Sequence, residues 1–434
     1  MTETLPATSA PLEGIPTNPD VPMRMLAKER FTSREFLAAE RDRLWSRVWQ
    51  MACRVEDVPN PGDFFEYRIH RQSILIVRQG DGGLKGLYNA CRHKGRQLVN
   101  GSGTVSEFRC PNHAWTYDLD GSLKFVLSPD EFPCTADYTL GQVRVETWGG
   151  FVFVNLDPDA PSLLEYLRPV TDNLAPYGFE SMGMTLAVTI RMPCNWKVAL
   201  DPFIEAYHTA GTHPQLLTGI DDVNSTYELF GLHSRMINPL YVSSPRIGEI
   251  TEEAIFEATI EQLEGIGFKG LSELELPPGM SSADFFADMT RSMAEASGID
   301  LSGLSRDQLT DIHCWLLFPN LCLQATATET LGWRVRPDGD NPDSCLLDQY
   351  ILKPMEPDRV TSLKRDFYED WRSYDCGLVL SQDYENLCNT QDGLYQLGFE
   401  GVLTASEQEK RIAHLHDVID RFLAGKSWAQ ITAG

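Results

Sequence analysis

The chain has 434 residues, a length for two or three domains, and its 42% hydrophobic and 23% charged residues exclude wholesale disorder and fibrous repeats. Its 37 Lys+Arg against 62 Asp+Glu leave a formal net charge of −25, and such a polyanion repels nucleic-acid phosphates and anionic lipid. No apolar run reaches the roughly 18–20 residues that span a bilayer, so neither nucleic acid nor a membrane is an expected partner.

In chain order, residues 1–22 are rich in Pro, Thr and Ser and read as a draped arm. They carry no basic stretch followed by an apolar run, so a secretion signal is not expected and a cytoplasmic location is. In a reducing compartment the ten cysteines serve as core residues or metal ligands rather than disulfides. Residues 31–51 predict a helix, opening with Thr32 and Glu35 at capping-box spacing. From about 60 to 155 the runs FFEYRIH, SILIVRQ, GLYNAC, YDLDGSLKF and GGFVFVNL alternate like strands, with a hairpin turn at Asp120-Gly121. Beyond them, TLAVTIRM, DIHCWLLFPNLCLQATA and SCLLDQYIL predict strands, and 251–265, 282–297, 363–373 and 380–396 predict helices. The last helix, 406–424, is expected to start at a capping box of Ser406 and Glu409. The fold expected is α+β, with a compact β domain inserted near the start of a larger domain.

Within the β domain stand Cys91-Arg-His93 and, sixteen residues on, Cys110-Pro-Asn-His113. Each loop mixes one thiolate with one imidazole, whereas structural zinc sites usually pair like with like at short spacing. The mixed pattern suits a two-iron, two-sulfide cluster whose one iron takes both thiolates and whose other iron takes both imidazoles. Structural zinc is the main alternative. CRHKGRQLV with CPNHAWTYDLDG resembles the Rieske motif of ring-hydroxylating non-heme iron oxygenases, specifically their large α subunit. That family usually places a bulkier aromatic before the second His and a Gly after it; here these are Asn112 and Ala114. Arg92, Lys94 and Arg96 surround the first loop, either as a solvated edge or as a dock for an acidic electron carrier.

A second constellation lies in CNWKVALDPFIEAYHTAGTHP, residues 194–214. Glu205 and His208 are three apart and share a face if helical, and Gly211-Thr212 can turn His213 back toward them. Two imidazoles and one carboxylate on one side of an iron form the facial triad of oxygen-activating Fe(II) enzymes. The third ligand is Glu205 or comes from SQDYENLCNTQDGL, where Asp383, Glu385 and Asp392 compete. The resemblance favours Asp383. It also implies that Glu205 bridges to a cluster-binding His of a neighbouring subunit, that Asn195 with Trp196 and Lys197 forms the family's entry into this segment, and that Asn195 and Glu205 belong to the catalytic machinery. Most ring dioxygenases carry Asp at the bridging position; Glu occurs in relatives that oxidise quaternary amines, among others. His70, His233, His313, His414 and His416 have no partners at ligand spacing and read as structural.

The resemblance implies a β-rich Rieske domain over 45–158 inserted in a helix-grip-like, antiparallel-sheet catalytic domain made of 1–44 and 159–434. It implies a [2Fe-2S] cluster and a mononuclear Fe(II), and a head-to-tail homotrimer with or without a small β subunit. No phosphate-binding glycine fingerprint follows a strand, so electrons from NAD(P)H are expected through a separate flavin reductase, a ferredoxin, or both. The expected activity is hydroxylation of an aromatic or other apolar small molecule, with N- or O-demethylation of a quaternary amine or methyl-bearing substrate as the alternative. An electron carrier using the cluster alone and a zinc-stabilised binding module are the readings from other classes. Phe203, Leu216, Phe230, Leu317 and Phe318 are available to line a pocket or fill a core.

Overall fold

A computed structural model describes residues 25–132, 138–265 and 270–432. The N-terminal arm through residue 24 and Cys134 lie outside the described residues. Among those described, no helix is long and apolar enough to cross a membrane.

Three sheets carry the fold. The first has seven strands, in the order Gln50–Arg54, Phe151–Asn155, Gln142–Trp148, Leu84–Tyr88, Gln72–Arg78, Asp63–Ile69 and Ser102–Thr104. Ile74 and Ile76 alternate with Leu75 and Val77 to the two faces of one central strand, and all four are buried, so this sheet packs on both sides. One face meets the larger domain. The other covers a small core of Leu87, Cys91, Phe108, Cys110, Trp115 and Tyr117 beneath a three-stranded sheet, Phe108–Arg109, Thr116–Tyr117 and Leu123–Phe125. Asp120-Gly121 makes the expected tight turn between its last two strands, with Gly121 at φ 89°.

The third sheet has eight strands, in the order Thr226–Phe230, His233–Asn238, Ile312–Leu317, Leu321–Ala325, Thr330–Pro337, Cys345–Pro354, Met182–Met192 and Asp366–Tyr368. All its pairings are antiparallel except the last, which runs parallel, so the sheet is mixed rather than purely antiparallel. The strands of the first sheet all precede those of the third along the chain, so the β domain is followed by the larger domain and is not inserted into its sheet. What crosses back is a short N-terminal stretch. Met25–Ala27 pairs with Gly401–Leu403, and Arg30 bonds Asp420 at 2.9 Å. Glu40 pairs with Lys197 at 2.7 Å, both fully buried.

Local chemistry departs from the sequence reading in four places. The first long helix is short: Ser33, not Thr32, caps it by accepting from Phe36 N, and after Arg34–Glu40 a π-turn at Arg41–Trp45 gives way to strand Gln50–Arg54. Residues 363–373 form strand Asp366–Tyr368 and a 3-10 turn rather than a helix, because pairing to Met182–Met192 takes up their backbone. The C-terminal helix begins at Lys410, where Glu409 turns back to accept from Ala405 N. DIHCWLLFPNLCLQATA splits into two strands joined at Phe318–Asn320.

Candidate metal centres

The two cluster loops share one backbone device. Gly95 N donates to Cys91 O at 2.8 Å in the first, and Ala114 N donates to Cys110 O at 3.0 Å in the second. Both turns close through a left-handed residue, Gly95 at φ 74° and Ala114 at φ 57°. Although each loop mixes ligand types, the fold sorts them: the Cys91 and Cys110 thiols are neighbours, and the His93 and His113 rings lie 4.5 Å apart. Nδ1 of both rings is buried without a hydrogen-bond partner. A buried nitrogen lone pair left idle is costly, and two of them beside two free, buried thiols make a donor set that fits a [2Fe-2S] group. Neighbours hold the ligands. Trp115 stacks on His93 at 5.2 Å with an 11° interplanar angle. Tyr117 OH accepts from Arg92 N at 2.9 Å and shares a hydrogen-bond contact with Cys91 Sγ 3.4 Å away.

The second site forms where a short loop faces a long helix. Glu205 and His208 do not sit on a regular helix, as their spacing suggested; they lie in a turn between the 3-10 turn Asp201–Phe203 and the helix Thr209–Thr212. The turn nonetheless folds Glu205 over His208, with Oε1 2.6 Å from Nδ1 and Oε2 accepting from the His208 backbone N–H at 3.0 Å. His213 ends the short helix, and Gly377–Leu394 presents Asp383 to it. Asp383 Oδ1 stands 2.8 Å from His213 Nε2 and 3.7 Å from His208 Nε2. Among the described residues, His208, His213 and Asp383 form the group whose ligand atoms lie within 4.8 Å of one another. Asp383 is buried, whereas its competitors Glu385 and Asp392 are exposed on the other side of the helix. Glu205 is occupied with His208. His213 is 3% exposed and His208 22%, so the group is more open on the His208 side.

Each imidazole carries a second partner that fixes which nitrogen faces inward. For His208 it is the Glu205 carboxylate; burial pushes this imidazole down, but the bond to Glu205 and the charges of Glu205, Asp383 and Glu409 prevail and hold it above its ordinary value. For His213 it is a neutral amide: Gln382 Oε1 takes the Nδ1 proton at 2.9 Å and is held by Gln215 Nε2 at 2.8 Å. Sequence spacing gave no sign of Gln382 or Gln215 as positioning groups, nor of Tyr117 at the cluster; adjacency to Asp383 and to the second loop was the available signal. Close by, burial and then the charges of Glu409 and Glu205 push the Asp201 carboxyl well up, and burial with Glu205 raises Glu409.

Asn195 does not join this group. Its side chain caps the helix Trp196–Leu200 by accepting from Lys197 N and donates to Phe31 O and Pro342 O. Its position is that of a buried anchor that ties this segment to Phe31 and Pro342. Of the candidate pocket residues, Phe318 stacks on Phe422 and Leu317 is buried in the core, while Phe203 stacks on Trp333 at 4.6 Å and Phe230 on Trp315 at 5.2 Å. His233 is satisfied by Tyr166 O and Phe318 N. Arg92, Lys94 and Arg96 are exposed around the first cluster loop.

Residues 179–425 match the family of ring hydroxylating alpha subunits (catalytic domain), and residues 48–136 match the Rieske [2Fe-2S] domain. The chain belongs to the Rieske oxygenase alpha subunits. It is similar to the glycine betaine monooxygenase oxygenase subunit of Pseudomonas aeruginosa, 33% identical over 42% of this chain and 43% of that one. It is also similar to the carnitine monooxygenase oxygenase subunit of Acinetobacter pittii, at 30% over 45% and 54%, and to the anthranilate 1,2-dioxygenase large subunit of Acinetobacter baylyi, at 33% over 43% and 42%. The chain thus spans about half the length of the curated relatives it matches. Among solved structures, a quaternary ammonium Rieske monooxygenase bound to L-carnitine aligns over 94% of this chain and 99% of that one, with a TM-score of 0.66 and 18% identity. Naphthalene 1,2-dioxygenase from Rhodococcus sp. aligns over 93% and 95% with a TM-score of 0.64 and 19% identity. These two likenesses speak to the fold alone.

Proposed function

We propose that this Rieske alpha subunit is the terminal oxygenase of a multi-protein system. It takes electrons that originate on NAD(P)H, through a separate flavin reductase, a ferredoxin, or both, and uses O2 to oxidise a small organic molecule. The observation that carries the reading is the presence, in one chain, of a sorted Cys91/Cys110 and His93/His113 donor set together with the His208–His213–Asp383 group. An electron carrier or a zinc-stabilised module would need only the first.

Cys91, Cys110, His93 and His113 would hold the cluster, and His208, His213 and Asp383 the Fe(II). When bound, the cluster supplies one-electron storage and the Fe(II) supplies O2 activation at open coordination positions. The chain's own residues prepare both. Glu205 and Gln382 take the Nδ1 protons of His208 and His213 and so turn both Nε2 lone pairs inward. Asp383 supplies negative charge from a buried position. At the cluster, the half-exposed His93 and His113 rings present an edge to a partner. We place that edge against Glu205 of a neighbouring copy in a head-to-tail trimer, with Glu205 linking the two centres. A small β subunit is compatible with this arrangement and is not required by it.

For the substrate, we favour a quaternary ammonium or other N-methyl compound, oxidised by monooxygenation with loss of the methyl carbon. Glu205 stands at the bridging position, and its carboxylate beside His208 supplies a negative group on that side that can attract a cation. The glycine betaine and carnitine relatives point the same way. Hydroxylation of an aromatic ring is the second reading, favoured by the Phe203–Trp333 stack and the anthranilate relative. Turnover with a reductase under 18O2, over betaines, carnitine-like amines and aromatic acids, tests both. Formaldehyde release with one labelled atom incorporated supports the first reading; two labelled atoms in a ring diol supports the second. Oxygen-independent turnover of every substrate sinks both.

A further inference from the structure

Two cysteines outside both metal sites form a pair that neither site uses. Cys314 and Cys322 stand on adjacent antiparallel strands, Ile312–Leu317 and Leu321–Ala325, as diagonal neighbours: Leu316 opposes Cys322, and Cys314 opposes Gln324. Both are buried, and their sulfurs are 3.3 Å apart. Each sulfur also approaches the carbonyl oxygen of Phe203, at 3.0 and 3.2 Å.

A buried cation makes this pair more than packing. Arg411 is fully buried in the C-terminal helix, and its guanidinium donates to Ser234 Oγ at 3.0 Å, Ser234 O at 3.3 Å and Cys314 Sγ at 3.7 Å. Of those three acceptors only the sulfur can ionise. A guanidinium stripped of water favours a countercharge, and the bond from Cys322 with the charge of Arg411 holds the Cys314 thiol below its ordinary value while burial pushes Cys322 up. The result is an asymmetric dithiol, one sulfur disposed to ionise and the other to stay protonated within contact of it. That asymmetry favours oxidation through a sulfenic acid once a small neutral oxidant reaches the buried pair.

We propose that Cys314 and Cys322 are an oxidant-modified dithiol, converted to a disulfide by hydrogen peroxide. The Cys314 thiolate attacks peroxide, breaking the O–O bond and giving Cys314 sulfenic acid and hydroxide. The Cys322 thiol then condenses with the sulfenic acid, forming the S–S bond and releasing water. The two sulfurs lose two electrons in all, and the two peroxide oxygens gain them. Closing from 3.3 Å to a disulfide of roughly 2.05 Å needs side-chain rotation and, for diagonal neighbours, a movement of the two strands toward each other. In the disulfide neither sulfur carries a proton to share with Phe203 O. Phe203 stacks on Trp333 and lies two residues before Glu205, so the change is delivered to the wall of the iron site.

The test adds peroxide from outside to the native, metal-loaded protein, so it does not depend on the proposed oxygenase reaction. Residues 307–334 form one tryptic peptide that holds Cys314 and Cys322 and no other cysteine. After native peroxide treatment, alkylation in denaturant and digestion, this peptide is expected unalkylated and about 2 Da lighter than the reduced form, and dithiothreitol should reverse it. Cys53, buried and free, should stay alkylated under the same treatment. In Cys322→Ser the same peptide should carry a dimedone adduct at Cys314 and no internal disulfide. Full alkylation of both cysteines in the wild-type protein, or separate sulfinic acids without a disulfide, overturns the proposal. Because the wild-type measurement decides by itself, poor folding of the variant leaves the test intact.

Discussion

His213 Nε2 and Asp383 Oδ1 meet at 2.8 Å across 170 residues of chain, and that contact closes the second site. It joins the end of a four-residue helix to the buried face of an eighteen-residue one. If these atoms hold iron, His208→Ala and Asp383→Ala will each lose the mononuclear iron while keeping the visible spectrum of the cluster, and Cys110→Ala will lose that spectrum. Iron and sulfide analysis with absorption spectra checks all three; a His208→Ala protein that retains full iron and activity would falsify the assignment.

Gln382 is the least expected member of the site. Gln382→Ala removes the acceptor for His213 Nδ1–H, so Fe(II) affinity should fall by about 10–100-fold, the usual range for a lost outer partner of a metal-binding His. Titration of the protein with Fe(II) reads this directly. Gln382→Glu restores an acceptor and should recover most of the affinity, an outcome that simple loss of packing would not give.

Glu205→Gln keeps the shape of the His208 contact and removes its charge. Both metals should stay bound, while single-turnover oxidation of the cluster in the presence of substrate slows. Unchanged single-turnover rates would count against a linking role for Glu205.

Ala114 sits at φ 57° where the matching loop has Gly95 at φ 74°. A side chain costs roughly 1–2 kcal/mol in this region, and glycine returns part of the difference through its freer unfolded chain. Ala114→Gly should therefore stabilise the cluster loop by about 1 kcal/mol, seen as a higher midpoint for thermal loss of the cluster spectrum. A lower midpoint would mean that the methyl group packs usefully.

Asp348 lies fully buried between Arg334 and Arg336, 2.8 and 2.9 Å away, and Arg334 continues to Met51 O and Ala52 O of the first sheet. Burial opposes its ionisation, but the two guanidinium groups prevail and hold its carboxyl well below the usual range. A depressed folded value contributes stability above the unfolded carboxylate value of about 4 and loses it as the pH falls further. Asp348→Asn should cost about 3–5 kcal/mol at neutral pH, because it leaves buried guanidinium charge without its partner. The gap between wild type and variant should narrow below about pH 4. Urea unfolding at pH 7 and pH 3 measures both; a gap that widens on acidification would contradict the assignment.

Much of this was legible in the sequence because the informative spacings are local. Cys91–His93 and Cys110–His113 are fixed by tight turns, and the strands around them alternate cleanly. In the 205–213 segment the spacing suggested a helix face, but a turn, not a helix, brings Glu205 to His208. Long-range contacts were where reading by pattern ran out. Whether Asp383, Glu385 or Asp392 faced inward depended on the rotation of one helix against a loop far away in the chain. Residues 363–373 have helical periodicity, but an open edge of the eight-stranded sheet recruits their backbone instead. Asn195 was singled out as the start of the Asn-Trp-Lys entry into this segment; its hydrogen bonds, invisible in the spacing, go to backbone and to Gln391.

The pairing of Met25–Ala27 with Gly401–Leu403 sets an order of assembly. During synthesis the strand near the start emerges first and must wait for nearly the whole polypeptide before its hydrogen bonds can form. The cluster loops between residues 91 and 114 have their core neighbours long before that, so they can be completed while the helix Gly377–Leu394 is still inside the ribosome. Cluster insertion would then precede closure of the molecule, and a chain cut short before residue 400 would emerge coloured yet unable to fasten its own beginning.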